Sequence, residues 1–555
     1  MKLKQINAEF WVADQISIQD VAELAEKGIK TIFCNRPDGE GSDQPNFIEI
    51  QKMAEQYGIA IQYQPVLSGK ITDTQAQEFA ANYRAAEKPV LAYCRSGTRS
   101  ISLWALSEVQ PQSYEEMLAR SSAAGYDLRA IVPRLMKKNF PSQEIACYSV
   151  VIVGAGAAGI SVAASLLSRQ PNLDIAIIDP ADVHYYQPGW TMVGGGIFSP
   201  QTTARPMQSV LPKQVKWIQA AVAAFDPEQR QVILEGCMPL SYRTLVVCPG
   251  LKLNWHGIDG LVETLGQNGV TSNYRYDLAP YTWQLVQNLK KGKAIFTQPP
   301  MPIKCAGAPQ KAMYLSADYW LKQGVLKDIS IDFYNTGAVL FGVKEYVPAL
   351  MEYVKRYQAN LHFNHQLVKV DGPNKKAWFK VTDGDQISTV ETDFDFLHVV
   401  PPQQAPDFIR ASTLTDEAGW VSVNPATLQH TRYPDIFALG DVSNTPNAKT
   451  AAAARAQAPI VAENVLAQLQ GGQKFFEYNG YGSCPLTVER GKIVLAEFGY
   501  GGKLLPSFPK WFIDGTQPSR MAWLLKEQIL PPIYWQGMLK GREWMVKPKK
   551  QVETV

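Results

Sequence analysis

Ser149-Val150-Val151-Ile152-Val153-Gly154-Ala155-Gly156-Ala157-Ala158-Gly159 is the stretch whose reading decides the fold of this chain. An apolar run of strand character enters a glycine loop and leaves through an Ala-rich stretch of helical character, the context in which Gly-x-Gly-x-x-Gly carries meaning. The first glycine permits a tight turn, the second lets backbone approach a pyrophosphate, and the third allows close helix packing. Asp179 ends the next apolar run, where an acid accepts ribose hydroxyls. Gly154, Gly156, Ala158, Gly159 and Asp179 are thus the expected dinucleotide site of an α/β body that starts at Tyr148.

Working outward, a distant segment agrees. Pro434-Asp435-Ile436-Phe437-Ala438-Leu439-Gly440-Asp441 resembles the second FAD motif, in which the acid (here Asp441) holds the flavin ribitol. Lys449-Thr450 then starts an Ala-rich helix whose N-terminus would favour an anionic reduced flavin. A third element, usually ending Ala-Thr-Gly, is degenerate as Leu245-Val246-Val247-Cys248-Pro249-Gly250. FAD is the expected cofactor. From 292 to 400 a second βαβ unit is expected, but Asp332 to Gly342 lacks the glycine spacing that holds NAD(P)H, so electrons are not expected from a nicotinamide. No Cys-x4-Cys stands beside the first glycine loop, which excludes a glutathione-reductase arrangement.

Upstream, residues 1–110 read as a smaller α/β unit. The apolar run Thr31–Cys34 ends in Asn35-Arg36-Pro37-Asp38-Gly39, residues 72–87 have helical spacing, and Pro89–Tyr93 is a buried-strand pattern running into Cys94-Arg95-Ser96-Gly97-Thr98-Arg99-Ser100. A cysteine between a strand and a helix start sits where backbone N–H groups converge. Those dipoles, with Arg95 and Arg99, are expected to lower its pKa and give a nucleophilic thiolate. Cysteine phosphatases use Cys-x5-Arg; here four residues separate Cys94 from Arg99, a shorter loop suited to a sulfane sulfur. A polar, helical connector is expected over 111–147.

Composition bounds the rest. At 555 residues, three or four units are expected, and 46% apolar with 19% charged residues supports a large core. A net charge of +3 gives no argument for nucleic acid; the one short basic run is the tail at Lys547, Lys549 and Lys550. Cys34, Cys94, Cys147, Cys237, Cys248, Cys305 and Cys484 are scattered and odd in number, as in an intracellular chain without a disulfide framework. Neither a signal peptide nor a run of spanning length is expected, and the dispersed histidines predict no metal.

Two resemblances make these readings specific. Asn35 to Glu40, with Tyr93 to Ser100 and Leu103-Trp104-Ala105-Leu106, resembles the phosphatase-like sulfur-transferase family found fused to beta-lactamase-like hydrolases. This implies a dual-specificity-phosphatase-like fold carrying a rhodanese-like loop, with Asp38 either an acid or a turn cap. From 148 to about 545 the chain resembles mitochondrial-type sulfide:quinone oxidoreductases. The matching stretches are His184-Tyr185-Tyr186-Gln187-Pro188 with Trp190, Pro302 to Lys311 around Cys305, His398 with Pro401-Pro402, Lys449 to Ala453, and Tyr481 to Leu486 around Cys484.

That resemblance implies Cys305 and Cys484 as the redox pair beside FAD, Gln187, Pro188, Lys449 and Thr450 at the cofactor, and sulfide, a quinone and a small thiol or other sulfur acceptor as partners. Val442 stands where many relatives carry a cysteine. From the residues alone, Cys305 and Cys484 could also be inert buried thiols.

The tail, 474–555, mixes Trp511-Phe512, Trp523-Leu524-Leu525 and Ile533-Tyr534-Trp535 with Lys510, Arg520, Lys526, Lys540 and Arg542. This is the composition of an interfacial segment or of a helix packed on the body. It predicts a peripheral protein at the cytoplasmic face of the inner membrane, or a soluble cytoplasmic one.

The expectation is therefore α/β throughout: a phosphatase-like domain, then a tandem Rossmann-like, FAD-dependent disulfide-oxidoreductase fold (148–291 with 401–473, and 292–400), then the tail. The expected activity is sulfide oxidation with electrons passed to a quinone, together with persulfide transfer at Cys94. The rival is an NAD(P)H-driven flavin reductase fused to a cysteine phosphatase, with a non-catalytic regulatory module as a further alternative.

Overall fold

The computed structural model describes the chain apart from residues 42–43, 68–70, 108–113, 129–130, 133, 136–144, 236–238, 473–475 and 549–555. Cys237, Lys549, Lys550 and part of the 111–147 connector therefore lie outside the described residues. Two compact units emerge: Met1–Ala146 with Ala223–Leu240, and Cys147–Val222 with Ser241–Val555.

The first unit is a five-stranded sheet in the order β1 (Leu3–Gln5), β2 (Phe10–Ala13), β5 (Val90–Tyr93), β3 (Thr31–Cys34) and β4 (Ala60–Tyr63). All neighbours are parallel except the edge pair β1–β2. The central strands are buried on both faces, as their continuous apolar runs require. Phe10, Phe79 and Trp104 form an aromatic core on one side, with Phe10 stacked on Trp104 at 5.2 Å, and Ala223, Ala224 and Ile233 join it. Cys94 stands at the C-terminal end of the middle strand, the position where open parallel sheets bind ligands.

In the second unit, strands Lys216–Ile218, Ile175–Ile178, Cys147–Val153, Pro239–Val247 and Ile436–Ala438 run parallel in that order. Helix Ala157–Arg169 packs against the long helix Ala451–Leu469, two small-residue faces that pack closely. A second parallel sheet follows the order Val270–Thr271, Phe396–His398, Gly292–Gln298, Ile329–Asn335, Asn360–Phe363. A hairpin, Gly482–Glu489 with Lys492–Phe498, lies against helix Ala308–Lys322.

The tail is not one continuous amphipathic helix. It alternates α turns with two π segments, Leu525–Ile529 and Ile533–Gly537. Its apolar residues divide: Trp523, Tyr534, Trp535 and Leu539 are buried, whereas Trp511, Phe512, Met521 and Ile529 are exposed. The packed reading of the tail therefore holds for the buried residues, and the others remain on the surface.

Candidate active site

The glycine loop takes the form its spacing predicts. Val153 ends the strand and Ala157 starts the helix, with only Gly154–Gly156 between. Gly154 has φ +103°, and a Cβ there would come within 2.6 Å of the Cys248 carbonyl oxygen. On Gly159 a Cβ would stand 1.9 Å from the Gly154 carbonyl oxygen, so close strand–helix packing needs that glycine. Gly156 differs, because a Cβ there would meet nothing within 4 Å. No contact within the protein accounts for that glycine; room for an approaching phosphate does. Asp179 lines the same space, and its carboxylate accepts hydrogen bonds from Ala155 N–H at 2.7 Å and Ala181 N–H at 2.9 Å.

A cavity of about 970 Å³ runs from Gly156, Ala158 and Asp179 past Gln187 and Pro188 to Asp441 and Cys305. Thr450 caps helix Ala451–Leu469 by accepting from Ala453 N–H, and the start of that helix also lines the cavity. Lys449 lines it as well, but its ammonium donates to the carbonyls of Asp441 (2.8 Å) and Ser443 (2.7 Å), so it braces the Asp441 turn. Burial lowers Lys449 to about 8 and raises Asp441, the latter opposed by Lys304 and Lys449. In the second sheet, residues 336–346 separate strand Ile329–Asn335 from helix Val347–Arg356, so no helix starts directly at that strand end as one does at Gly156.

The two cysteines, 179 residues apart, meet at this cavity with Sγ atoms 3.4 Å apart. Cys484 lies in strand Gly482–Glu489, whose ladder fixes it opposite Ala496. Cys305 precedes helix Ala308–Lys322 with φ +53°, a left-handed conformation costing about 1 kcal/mol or more for a side chain with a Cβ. Hydrogen bonds on both sides impose it: Cys305 N–H to the Lys449 carbonyl (2.8 Å), and the Tyr274 hydroxyl to the carbonyls of Lys304 (2.8 Å) and Cys305 (3.3 Å). Gly307 makes room, since a Cβ there would meet Cys484 Sγ at 2.6 Å.

The electrostatics polarise the pair. Lys311 Nζ donates to Cys305 Sγ at 3.1 Å. The Cys484 thiol hydrogen bond and Lys311 hold Cys305 well below the usual thiol range against the effect of burial. The same hydrogen bond, with burial, pushes Cys484 well above it. With Lys311 on its sulfur, Cys305 is the member of the pair on which negative charge is favoured. Burial opposes the charge on Lys311, but the two sulfurs outweigh it and raise its pKa.

Lys526, expected among the surface cations of the tail, is instead buried on this cavity. Burial and the like charge of Lys311 push it down to about 7. The sequence pointed to neither Lys311 nor Lys526 as a site residue: Lys311 only closed the stretch around Cys305, and its position in the first turn after that cysteine was the available signal. His184 ties the tail to the glycine loop, facing the Ala155 carbonyl with Nδ1 and the Tyr534 hydroxyl with Nε2 at 2.7 Å.

In the first unit, Cys94 is buried and accepts from Gly97 N–H at 3.1 Å. Gly97 caps the start of helix Thr98–Leu106 at φ +85°, packed so closely on Tyr126 that a Cβ would overlap its hydroxyl. Arg99 is also buried, forked onto Glu40 at 2.7 Å through each terminal nitrogen.

A glycine-loop cavity joined to a cysteine pair defines a flavin-dependent oxidoreductase of the disulfide-oxidoreductase class. Residues 148–293 match the family described as pyridine nucleotide-disulphide oxidoreductase, and residues 2–112 match the phosphatase-like domain of beta-lactamase hydrolase-like protein. The mitochondrial sulfide:quinone oxidoreductase of Dictyostelium discoideum is 43% identical over 401 residues, 72% of this chain and 87% of that protein. The chain belongs to the sulfide:quinone oxidoreductase family.

The X-ray structure of the sulfide:quinone oxidoreductase from Aquifex aeolicus superposes with TM-score 0.60 at 18% identity, covering 72% of this chain and 92% of that one, which is a likeness of fold. The beta-lactamase hydrolase-like protein of Xylella fastidiosa (strain Temecula1) is 34% identical over 140 residues, a quarter of this chain and 32% of its own length. FAD is the cofactor of this enzyme, and the open space at Gly156, the acid at each end of the cavity and the capped helix at Thr450 fit it.

Proposed function

We propose that this enzyme oxidises sulfide at Cys305 and Cys484 and passes the electrons to a quinone. The observation carrying this is the 3.4 Å approach of the two cysteine sulfurs beside the cofactor cavity, with the Lys311 ammonium on Cys305. In the oxidised pair, hydrosulfide attacks one sulfur; a new S–S bond forms, the Cys305–Cys484 bond breaks, and its electron pair stays on the other cysteine. Lys311 and Lys526 attract the incoming anion and stabilise the departing thiolate. A small thiolate then takes the terminal sulfur as a persulfide, leaving both cysteines reduced. FAD, when bound, supplies the two-electron acceptor that restores the oxidised pair and delivers the electrons to the quinone.

Anaerobic titration of the purified holoenzyme tests this. Sulfide is expected to bleach the flavin absorbance, and NADH to leave it unchanged because the second sheet lacks a strand–helix phosphate turn. Bleaching by NADH with none by sulfide would favour the reductase reading.

The tail supports the route to a quinone. Trp511 is 86% exposed, with Phe512, Met521 and Ile529 also exposed beside Lys510 and Arg520, while Leu525 and Ile533 line the cavity. We infer peripheral attachment through this face to an anionic leaflet, which is the cytoplasmic one. Among the described residues no helix is long and apolar enough to cross a membrane. The double variant Trp511→Ser, Phe512→Ser is expected to weaken binding to anionic lipid vesicles by about tenfold or more, since each ring contributes about 1.5–3 kcal/mol when buried. Unchanged co-sedimentation would refute the attachment.

For the first unit, Cys94 at a strand–helix junction with a four-residue spacing to Arg99 supports sulfane sulfur transfer. Fusion to a sulfide oxidiser supplies a persulfide on the same chain, where tethering gives effective concentrations on the order of millimolar for short flexible linkers.

A further inference from the structure

We propose that Glu40 sets the substrate class of the Cys94 loop: by keeping Arg99 paired, it makes the loop a receiver of sulfane sulfur from uncharged or singly charged persulfides and turns away tetrahedral oxyanions. The proposal rests on the reading of Cys94 as a sulfur carrier.

Arginine has five N–H donors in a fixed fork, the feature that makes it an oxyanion ligand. In Arg99 that fork is already engaged. Nη1 donates to Glu40 Oε1 at 2.7 Å and to the Val66 carbonyl at 2.9 Å, and Nη2 donates to Glu40 Oε2 at 2.7 Å. Arg36, also buried, adds a bond from Nε to Glu40 Oε2 at 3.0 Å and anchors its own Nη1 on Gln15. The Arg99 hydrogen bonds and then those of Arg36 hold Glu40 at about 2, so it is a carboxylate at any physiological pH.

Against burial, the Glu40 hydrogen bond and then the charge of the Cys94 sulfur raise the pKa of Arg99. A tetrahedral dianion at Cys94 would need the fork that Glu40 holds and would face the carboxylate's charge. A sulfane sulfur needs neither. Ser100, the next residue, buries a hydroxyl that has no hydrogen-bond partner among the described residues. The transfer balances without an external oxidant: the Cys94 thiolate attacks the terminal sulfur of RS–SH, Cys94–S–SH forms, the RS–S bond breaks, and its electron pair leaves on RS⁻.

The test uses the full chain with inorganic phosphate as probe, reading protection of Cys94 from iodoacetamide by peptide mass spectrometry. The native chain should show no protection at millimolar phosphate, and neither should Glu40→Asp, which keeps the carboxylate. Glu40→Gln should be protected with an apparent affinity at least about tenfold tighter, a loss of charge repulsion of 1.4 kcal/mol or more. Tight phosphate protection of the native chain, or protection that is weaker or unchanged in Glu40→Gln, would overturn the proposal and make Glu40 an orienter of Arg99 or a bystander.

A second arm compares cysteine persulfide with thiosulfate, itself a tetrahedral dianion, as donor to cyanide. The native chain should prefer the persulfide, and Glu40→Gln should raise the thiosulfate rate relative to it. A preference for thiosulfate in the native chain would overturn the proposal. Transfer from neither donor, with the phosphate arm as expected, would refute the sulfur reading of Cys94 while leaving the oxyanion exclusion by Glu40 in place.

Discussion

The Cys94 loop and the Cys305–Cys484 pair both put a thiol beside buried cations, yet they treat the cations in opposite ways. At Cys94, Arg99 is matched by Glu40 in a two-bond fork, and Arg36 leans on the same carboxylate. At Cys305, neither Lys311 nor Lys526 forms an ion pair with a carboxylate among the described residues; the opposite charges that act on them are those of the two sulfurs. A matched site has little field left for an incoming anion. An unmatched one holds a thiolate and attracts a second anion to it, at the expense of burying like charges together. Under the proposed function, the difference is the one expected between a sulfur carrier and a site that accepts hydrosulfide and stabilises a leaving thiolate.

The largest expected effect lies at the unmatched site. Cys305→Ser and Cys484→Ser should each reduce sulfide-dependent quinone reduction by more than about a thousandfold, as removal of a nucleophile does. Both should keep FAD, because Gly154, Gly156 and Gly159 and the two acids are untouched. Turnover measured with flavin content determined on the same preparation checks this, and a variant with near-native turnover would remove its cysteine from the redox pair. Cys94→Ser makes the contrast sharper: it should abolish persulfide transfer, with sulfide bleaching of the flavin retained.

A smaller loss is expected at Lys311. Its hydrogen bond to the Cys305 sulfur joins two charges and contributes about 1.5–3 kcal/mol. Lys311→Met should therefore slow flavin reduction by sulfide about 10- to 100-fold in rapid mixing under anaerobic conditions. It should also shift the pH at which Cys305 is alkylated to higher values, a change that a merely structural lysine would not produce. An unshifted alkylation profile would assign the thiolate to Cys484 alone as partner.

What the sequence disclosed about these sites followed the range of the interactions. Gly154, Gly156 and Gly159 were legible because a strand–turn–helix reports its own geometry within one short window, and Cys94 for the same reason. The second sheet's missing phosphate turn was legible in the glycine spacing. Glu40 was quoted only as the end of a motif, since its pairing with Arg99 spans 59 positions and nothing local announces it. Lys526 was misassigned for a different reason. An alternation of apolar and cationic residues looks the same whether the cation reaches outward from a membrane-facing helix or inward to a thiolate, and the π segment Leu525–Ile529 changes the register on which an α-helical reading depends. The exposed Trp511 and buried Trp535 show that the same composition takes both positions within one tail.

The smallest expected effect, and the one that examines the unmatched charges most directly, belongs to Lys526. Burial and Lys311 push it down to about 7, so it is charged below that pH and neutral above it. Below pH 7 both lysines act on Cys305, and above it only Lys311 does. Lys526 acts on Cys305 less strongly than Lys311 does, and a loss of about 1 kcal/mol of transition-state stabilisation is a factor of about five in rate. At saturating sulfide, where ionisation of free sulfide affects binding and not the chemical step, the rate of flavin reduction should therefore fall about fivefold as pH rises through about 7. Lys526→Arg keeps its charge across this range and should flatten the limb at the high plateau. Lys526→Met has no charge to lose and should flatten it at the low plateau. Lys526 would then be a residue positioning charge on Cys305, its effect read in the pH profile and not in flavin content. If all three proteins share one sloping profile, the limb belongs to another group, and the pair works on the field of Lys311 alone.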